Sequence, residues 1–281
     1  MGTVIRTATV NWEIRELTSV NEFLDHLTLL LDRCSDANLI VLPECFSLEL
    51  LSLDPTLEGS RVPTHLAKTF ESIVEVLSSF ARRSQAIVVG GSHFRQVPEG
   101  IHNVCPVCMP SGDVRFQAKN KLTAYEREEW GLTPGRGLQS PFHQVGLSIC
   151  YDSEFPEGPR LLAEAGMLVH CVPAYTETQR GFQRVRWCCL ARAVENQTYV
   201  VHSSLVGSLG REPVPSAVGT SAVIAPSVEP FVERAVLAET GPGEGVAVAD
   251  LDLDALLAAR ESGDVRNWTD RDGSNWFLME P

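Results

Sequence analysis

Short apolar runs that stop at a proline, a glycine or a polar side chain alternate, over much of this chain, with longer segments whose apolar residues recur at helical spacing. That alternation constrains the fold more than any other feature. Val4 to Val10 reads as a first strand, Leu39 to Leu42 as a buried strand closed by Pro43-Glu44, and Ala86 to Gly91 as the next. Between them Phe23, Leu24, Leu27, Leu30 and Leu31 recur three and four apart, as do Phe70, Ile73, Val74, Leu77, Phe80 and Ala81. Such spacing puts one apolar stripe on a helix. Ser19-Val-Asn-Glu22 has the form of a capping box at the start of the first helix. Strands alternating with amphipathic helices predict a layered α/β protein, not an all-β or all-α one.

The rest of the chain fits that class. Asn103 to Met109 and Val114 to Ala118 flank Pro110-Ser-Gly-Asp113, a turn between two extended runs. A helix is expected from Pro156 to Ala165, stopped by Gly166, and a strand from Met167 to Val172, ending at Pro173. A long helix over Gln183–Asn196 precedes strands at Thr198–Ser203, Ser221–Ala225 and Gly245–Asp250. There is no repeat and no linker that divides the chain; 207–215 and 239–244 are short enough to be surface loops, so one domain over 1–281 is expected. The formal net charge of −13 disfavours a nucleic-acid partner, which needs clustered Lys and Arg. No apolar run is long enough to span a membrane, and Met1 to Arg6 does not look like a signal peptide. Eight cysteines without an export signal are expected as reduced thiols, in the cytoplasm.

One of those thiols stands where chemistry is favoured. Cys150 ends the apolar run Gly146-Leu-Ser-Ile-Cys150 and opens Tyr151-Asp-Ser-Glu-Phe-Pro156. A side chain at that junction is held by a sheet and still reaches its edge. Two other strand-associated segments end in groups that can activate a thiol: Glu44 after Leu39–Pro43, and Lys119 in Gln117-Ala-Lys-Asn-Lys-Leu122. A carboxylate, an ammonium and a thiol are the parts of a nucleophilic hydrolase. Other groups have blander readings. Cys105-Pro-Val-Cys108 and Cys188-Cys189 are expected to pack in the core. The seven histidines show no His-x-x-x-His spacing, so no metal or other cofactor is expected. A dyad of Cys150 with His143 or His170 is disfavoured because Glu44 already supplies a base. Arg192 with Glu195 reads as a helical ion pair, and either Arg184 or Arg186 is a candidate for a substrate carboxylate.

Taken in order, Leu42-Pro-Glu44, Lys119-Asn-Lys-Leu122 and Cys150-Tyr-Asp152 with Phe155-Pro-Glu157 resemble the Glu–Lys–Cys triad segments of the nitrilase superfamily, the carbon–nitrogen hydrolases. Asn103, Gly112, the block Ala191-Arg-Ala-Val-Glu-Asn-Gln197, and Asp250-Leu-Asp252 with Arg260 extend the likeness to nearly the whole chain. Asn11, where relatives usually have Gln, and Cys45 beside Glu44 depart from it; on an alternating strand Cys45 should point away from Glu44. The resemblance implies a four-layer αββα sandwich with its site at strand ends, in a homodimer or higher homo-oligomer. It implies Glu44 as general base, Lys119 as stabilising cation, Cys150 as nucleophile and Glu126 as a second glutamate near the substrate, with Glu128 and Glu129 close by. Substrate contacts are expected from Tyr151, whose N–H can help hold an oxyanion, and from Ala174 and Tyr175, with walls from the loops 125–135 and 174–182. The implied reaction is hydrolysis of a small amide through a Cys150 thioester, giving a carboxylate and ammonia or an amine. Cys150-Tyr-Asp152 resembles the amidase and carbamoylase branches more than nitrilases, which tend to carry Cys-Trp-Glu. Nitrile hydrolysis, N-carbamoyl cleavage and an idle dimeric binding protein on the same fold stand as alternatives.

Overall fold

The computed structural model describes residues 4–231 and 233–272. Its first half comprises β1 (Val4–Ile14), α1 (Val20–Asp32), β2 (Leu39–Val41), α2 (Arg61–Leu66), α3 (Phe70–Ser84), β3 (Ile87–Val89), β4 (His93–Val97), β5 (Gly100–Cys108), β6 (Val114–Ala118) and α4 (Ala124–Glu128). The second half adds β7 (Val145–Leu147), α5 (Glu157–Glu164), β8 (Val169–Ala174), α6 (Gln179–Asn196), β9 (Tyr199–Gly207), β10 (Ala222–Ile224), β11 (Val236–Glu239), β12 (Gly245–Asp252) and α7 (Leu253–Ser262). Two 3-10 segments, Phe46–Leu53 and Cys150–Glu154, follow β2 and β7.

The strands form two sheets that share β1. Its residues Val4–Asn11 run antiparallel to β12, and Thr7–Thr9 run parallel to β2. Trp12–Ile14 then pair in parallel with Leu205–Gly207 of β9. From β2 the first sheet continues to β3 and β5, and β5 carries both β4 and β6 as antiparallel neighbours. In the second sheet β7, β8 and β9 are parallel, with β10 and β11 added antiparallel.

The pleat sorts apolar residues into layers, because successive side chains face opposite sides of a sheet. Ile40 and Val88 join Phe23, Leu27 and Leu30 of α1 and Ile73, Leu77 and Phe80 of α3 in an outer core. Their neighbours Leu39, Val41, Ile87 and Val89 face the second sheet, in a core that also takes in Val185, Cys189 and Ala193 of α6. Helices, sheet, sheet and helices thus stack as the αββα sandwich that the resemblance implies. Each fully buried Leu, Ile or Phe contributes about 1.5–3 kcal/mol, so both cores are needed to hold the layers together.

Several elements differ from the sequence reading for local reasons. Ser19 does cap α1, accepting the Glu22 N–H at 3.2 Å. The Glu22 carboxylate, however, returns to the N–H and hydroxyl of Thr18, one residue early. β1 runs four residues past Val10 because Trp12–Ile14 find β9 as a partner. β8 does not end at Pro173: Pro173 and Ala174 stay in register with Ser203 and Ser204. The apolar run expected to end at Cys150 is strand only over Val145–Leu147.

The segment after β2 is clamped from both sides. Trp12 stacks on Phe46 at 4.3 Å between ring centroids and donates its indole N–H to Glu49 at 3.0 Å. Phe46 meets the His93 ring edge-on at 4.4 Å. On the other side Gly91 has φ of +68°, and a Cβ there would stand 2.2 Å from the carbonyl oxygen of Pro43. Only glycine fits both the conformation and the space. Gly91→Ala is therefore expected to destabilise the protein by about 2–3 kcal/mol in urea unfolding, within the range for strain at a special backbone position. An unchanged midpoint would show that the Pro43 segment yields.

Candidate active site

Four segments deliver side chains to one point. Beyond β2, Glu44 forms a parallel bridge with Ser92, and the Cys45 N–H donates to the Ser92 carbonyl at 2.8 Å. Lys119 leaves the end of β6 with its N–H on the Asn103 carbonyl at 2.8 Å. Glu126 sits in the first turn of α4, inside a closed capping box. Its N–H donates to the Thr123 hydroxyl at 3.3 Å, and its carboxylate accepts from the Thr123 N–H at 2.8 Å. Cys150 heads the 3-10 segment after β7 with φ of +46°, a conformation that strains a residue with a Cβ by about 1–3 kcal/mol.

The Lys119 ammonium is the centre of the cluster. It donates to Glu44 Oε1 at 2.8 Å and to both oxygens of Glu126 at 2.8 Å. Asn103 Nδ2 reaches the same two carboxylates, at 2.9 and 3.2 Å. The second oxygen of Glu44 accepts the Tyr175 N–H at 3.0 Å. All of these side chains are buried. Burial works against the Lys119 charge, yet Glu126 and Glu44 outweigh it and lift its pKa well above the ordinary value. Burial also raises both carboxyl groups, but their partners divide them. Glu126 falls below the ordinary carboxylate value because Lys119, Thr123 and Asn103 favour its anion. Glu44 rises above it because burial and the Glu126 charge outweigh Lys119. The two carboxyl groups are thus pushed apart, Glu126 toward its anion and Glu44 toward its protonated form.

The thiol lies against Glu44. Burial first, and then the Glu44 charge, raise the Cys150 pKa well above the ordinary thiol value, while Lys119 opposes them. The resting form is therefore a thiol with a proton acceptor beside it. Its Sγ also faces the Tyr175 carbonyl at 3.5 Å. The turn that carries it is pinned from three directions. Ser153 Oγ donates to the Cys150 carbonyl at 2.6 Å. Asp152 accepts the N–H groups of Asn120 and Lys121, at 3.1 and 2.7 Å, joining the Cys150 turn to the lysine segment. Burial nonetheless pushes the Asp152 carboxyl up to about 6. Arg192 of α6 donates to the Ser153 and Glu154 carbonyls at 3.1 and 3.2 Å while pairing with Glu195 at 3.0 Å.

Glu44, Lys119, Glu126, Cys150, Tyr151 and Tyr175 all line one cavity of about 410 Å³. That is within the range of small-molecule sites, roughly 300–1,000 Å³. Glu128 and Glu129 are exposed, so the structure separates them from Glu126. The Thr123-Ala-Tyr-Glu126 spacing is the sequence signal that distinguishes them. Ala174 is buried at the end of β8 and lies outside the cavity wall; its part is to carry Tyr175 to the wall. Cys45 does not point away as strand alternation suggested. It follows the strand in a left-handed conformation with φ of 56°, and it lines the cavity beside Glu44. Arg184 borders the cavity, whereas Arg186 is buried elsewhere against Glu239, the Thr220 carbonyl and His202. Cys105 and Cys108 fall in separate cores on opposite faces of β5. Cys189 is buried, but Cys188 is partly exposed. His170 is bonded to Ser148 at 2.9 Å, and neither it nor His143 reaches the cavity. The sequence reading did not assign Asn103 and Thr123 to the site, although both touch its carboxylates.

The sequence model of the family described as carbon-nitrogen hydrolase matches residues 6–261. The chain belongs to that family. It is similar to the Bacillus subtilis protein YhcX, with 32% identity over 95% of this chain and 53% of that protein; the chain thus spans about half the length of this relative. It is also similar to the omega-amidase NIT2 of Danio rerio, with 29% identity over 80% of each chain. Among solved structures it resembles Saccharomyces cerevisiae Nit3, a member of branch 10 of the nitrilase superfamily. The TM-score is 0.76 at 26% identity, covering 92% of this chain and 94% of that one.

The central cation predicts an asymmetry in stability. Lys119→Ala leaves two buried carboxylates facing each other and should lower unfolding free energy by about 3–5 kcal/mol, as expected when a buried pair loses one member. Cys150→Ala removes only a small neutral group and should stay within about 1 kcal/mol of wild type. Equal effects in denaturant titrations would contradict the electrostatic account.

Proposed function

We propose that the protein hydrolyses a small amide through a thioester on Cys150, releasing a carboxylate and ammonia or an amine. The observation that carries this is the Lys119 ammonium held at 2.8 Å between Glu44 and Glu126 on the wall of the cavity that Cys150 lines. Membership of the family and similarity to proteins named omega-amidases support it. Glu44 takes the thiol proton as sulfur bonds to the amide carbon and the carbonyl π pair moves onto oxygen. The Lys119 ammonium and the Tyr151 N–H stabilise that oxyanion. Protonated Glu44 then gives its proton to the amide nitrogen, and the C–N bond breaks as the carbonyl re-forms. Glu44 next takes a proton from water as hydroxide adds to the thioester; the carbonyl then re-forms, the C–S bond breaks, and Glu44 returns the proton to sulfur to restore the thiol. Glu126 stays ionised and holds Lys119 in place.

The same reading covers assembly and location. Leu161 of α5 and Trp187 of α6 are exposed at 62% and 63%, an unusual display for large apolar side chains, and this favours the α5–α6 face as the homodimer surface. The cysteines are unpaired, which favours a reducing compartment such as the cytoplasm. Among the described residues no helix is long and apolar enough to cross a membrane. The match over 6–261 favours one domain across the chain.

Ammonia release from a panel of small amides, and from the matching nitriles, tests the reaction. Wild type is expected to prefer the amides, and Cys150→Ala to retain less than about a thousandth of the activity. The acid limb of kcat/KM supplies an independent check. Glu44 works only when ionised, and its folded pKa is raised, so activity is lost as pH falls through a value above the ordinary 4.5. A limb at or below 4.5, or activity surviving in Cys150→Ala, would overturn the assignment.

A further inference from the structure

The cavity carries charge that the reaction does not use. Glu44, Lys119 and Glu126 close on one another within 2.8 Å. Three further ionisable chains of clear sign border the same cavity: Glu154, Glu177 and Arg184. Arg184 Nε stands 3.5 Å from Glu154 Oε2, so these two offset each other. Among the described residues no cation pairs with Glu177. Burial, and then the charge of another carboxylate, Glu212, raise the Glu177 pKa, while a hydrogen bond from Tyr175 opposes them. Glu212 likewise lacks a cation among the described residues, and its carboxylate accepts from the hydroxyl of Tyr125, itself a lining residue, at 3.4 Å. The wall also includes four aromatic side chains, Tyr125, Trp130, Tyr151 and Tyr175, beside Thr123, Thr176 and Thr178. Aromatic faces attract ammonium groups.

We infer that Glu177 sets substrate charge: the cavity selects amides that carry an ammonium group at the end remote from the reacting carbonyl, held between Glu177 and the aromatic wall. This rests on the proposed amide hydrolysis and names the class of substrate for the same site. The geometry assigns the two ends of the ligand. The amide carbon lies against Cys150 and Lys119 in the buried part, and the ammonium lies at the exposed mouth beside Glu177. The Glu177–Glu212 repulsion is relieved when a cation arrives. A carboxylate at that position would meet two like charges, and Arg184, the cation that borders the same cavity, is already paired with Glu154.

The test uses three amides of one chain length that end in an ammonium, a methyl or a carboxylate group. Wild type is expected to show kcat/KM about fivefold higher for the ammonium amide than for the methyl amide, the effect of one exposed ion pair, and lowest for the carboxylate amide. The ammonium preference should shrink as ionic strength rises. Glu177→Gln is expected to bring the ammonium-to-methyl ratio near one, and Glu177→Lys to put the carboxylate amide first. Calorimetric binding of the same three amides to Cys150→Ala reads the charge preference without turnover. If wild type hydrolyses none of them, the proposed reaction fails, while the binding order still decides the charge preference. A carboxylate amide that binds or reacts best with wild type, or ratios unmoved in both Glu177 variants, would overturn the inference.

Discussion

A single buried ammonium organises this molecule's chemistry. Lys119 cannot be buried alone, and neither can Glu44 or Glu126: an isolated charge moved out of water is penalised by several kcal/mol even after relaxation. Together, with Asn103 and Thr123 donating to the carboxylates, they form a set in which every charge has a partner. One cation between two carboxylates leaves an excess negative charge in a buried place. Burial first, and then the Glu126 charge, raise the proton affinity of Glu44 against the pull of Lys119.

The fold exists, in this light, to bring four strand ends to that ammonium and keep them there. β2, β6, β7 and β8 release Glu44, Lys119, Cys150 and Tyr175 just beyond their last residues. The layers behind them are apolar and tightly sorted, so they transmit no slack. The turns in front are fixed by polar bonds: Asp152 ties the Cys150 turn to the lysine segment, and Arg192 ties it to α6. The left-handed conformation of Cys150 is held against its strain by these contacts.

Much of this was legible in the sequence because it follows from local rules. Helical spacing in Phe70–Ala81 and the turn at Pro110–Asp113 led to α3 and to the β5–β6 hairpin. The segments around Glu44, Lys119 and Cys150 stood out as polar groups closing apolar runs. What was not legible depended on tertiary partners. The extension of β1 needed β9, and the continuation of β8 through Pro173 needed Ser203. The orientation of Cys45 was misjudged because alternation holds only while the chain is extended, and the strand has ended by that residue. Arg184 and Arg186 are two apart on one helix, so the surroundings of α6 had to decide which faces the cavity.

The account stands most directly on where the acyl group goes. Two thiols, Cys150 and Cys45, line the cavity, and of the two it is Cys150 that is hydrogen-bonded to the raised carboxyl of Glu44. Intact-mass analysis of acid-quenched enzyme during turnover of a small amide, followed by peptide mapping, reads the site of attachment. The account predicts a mass increase equal to the acyl group on the peptide containing Cys150, absent in Cys150→Ala. An acyl group found on Cys45, or turnover that persists in Cys150→Ala, would contradict it.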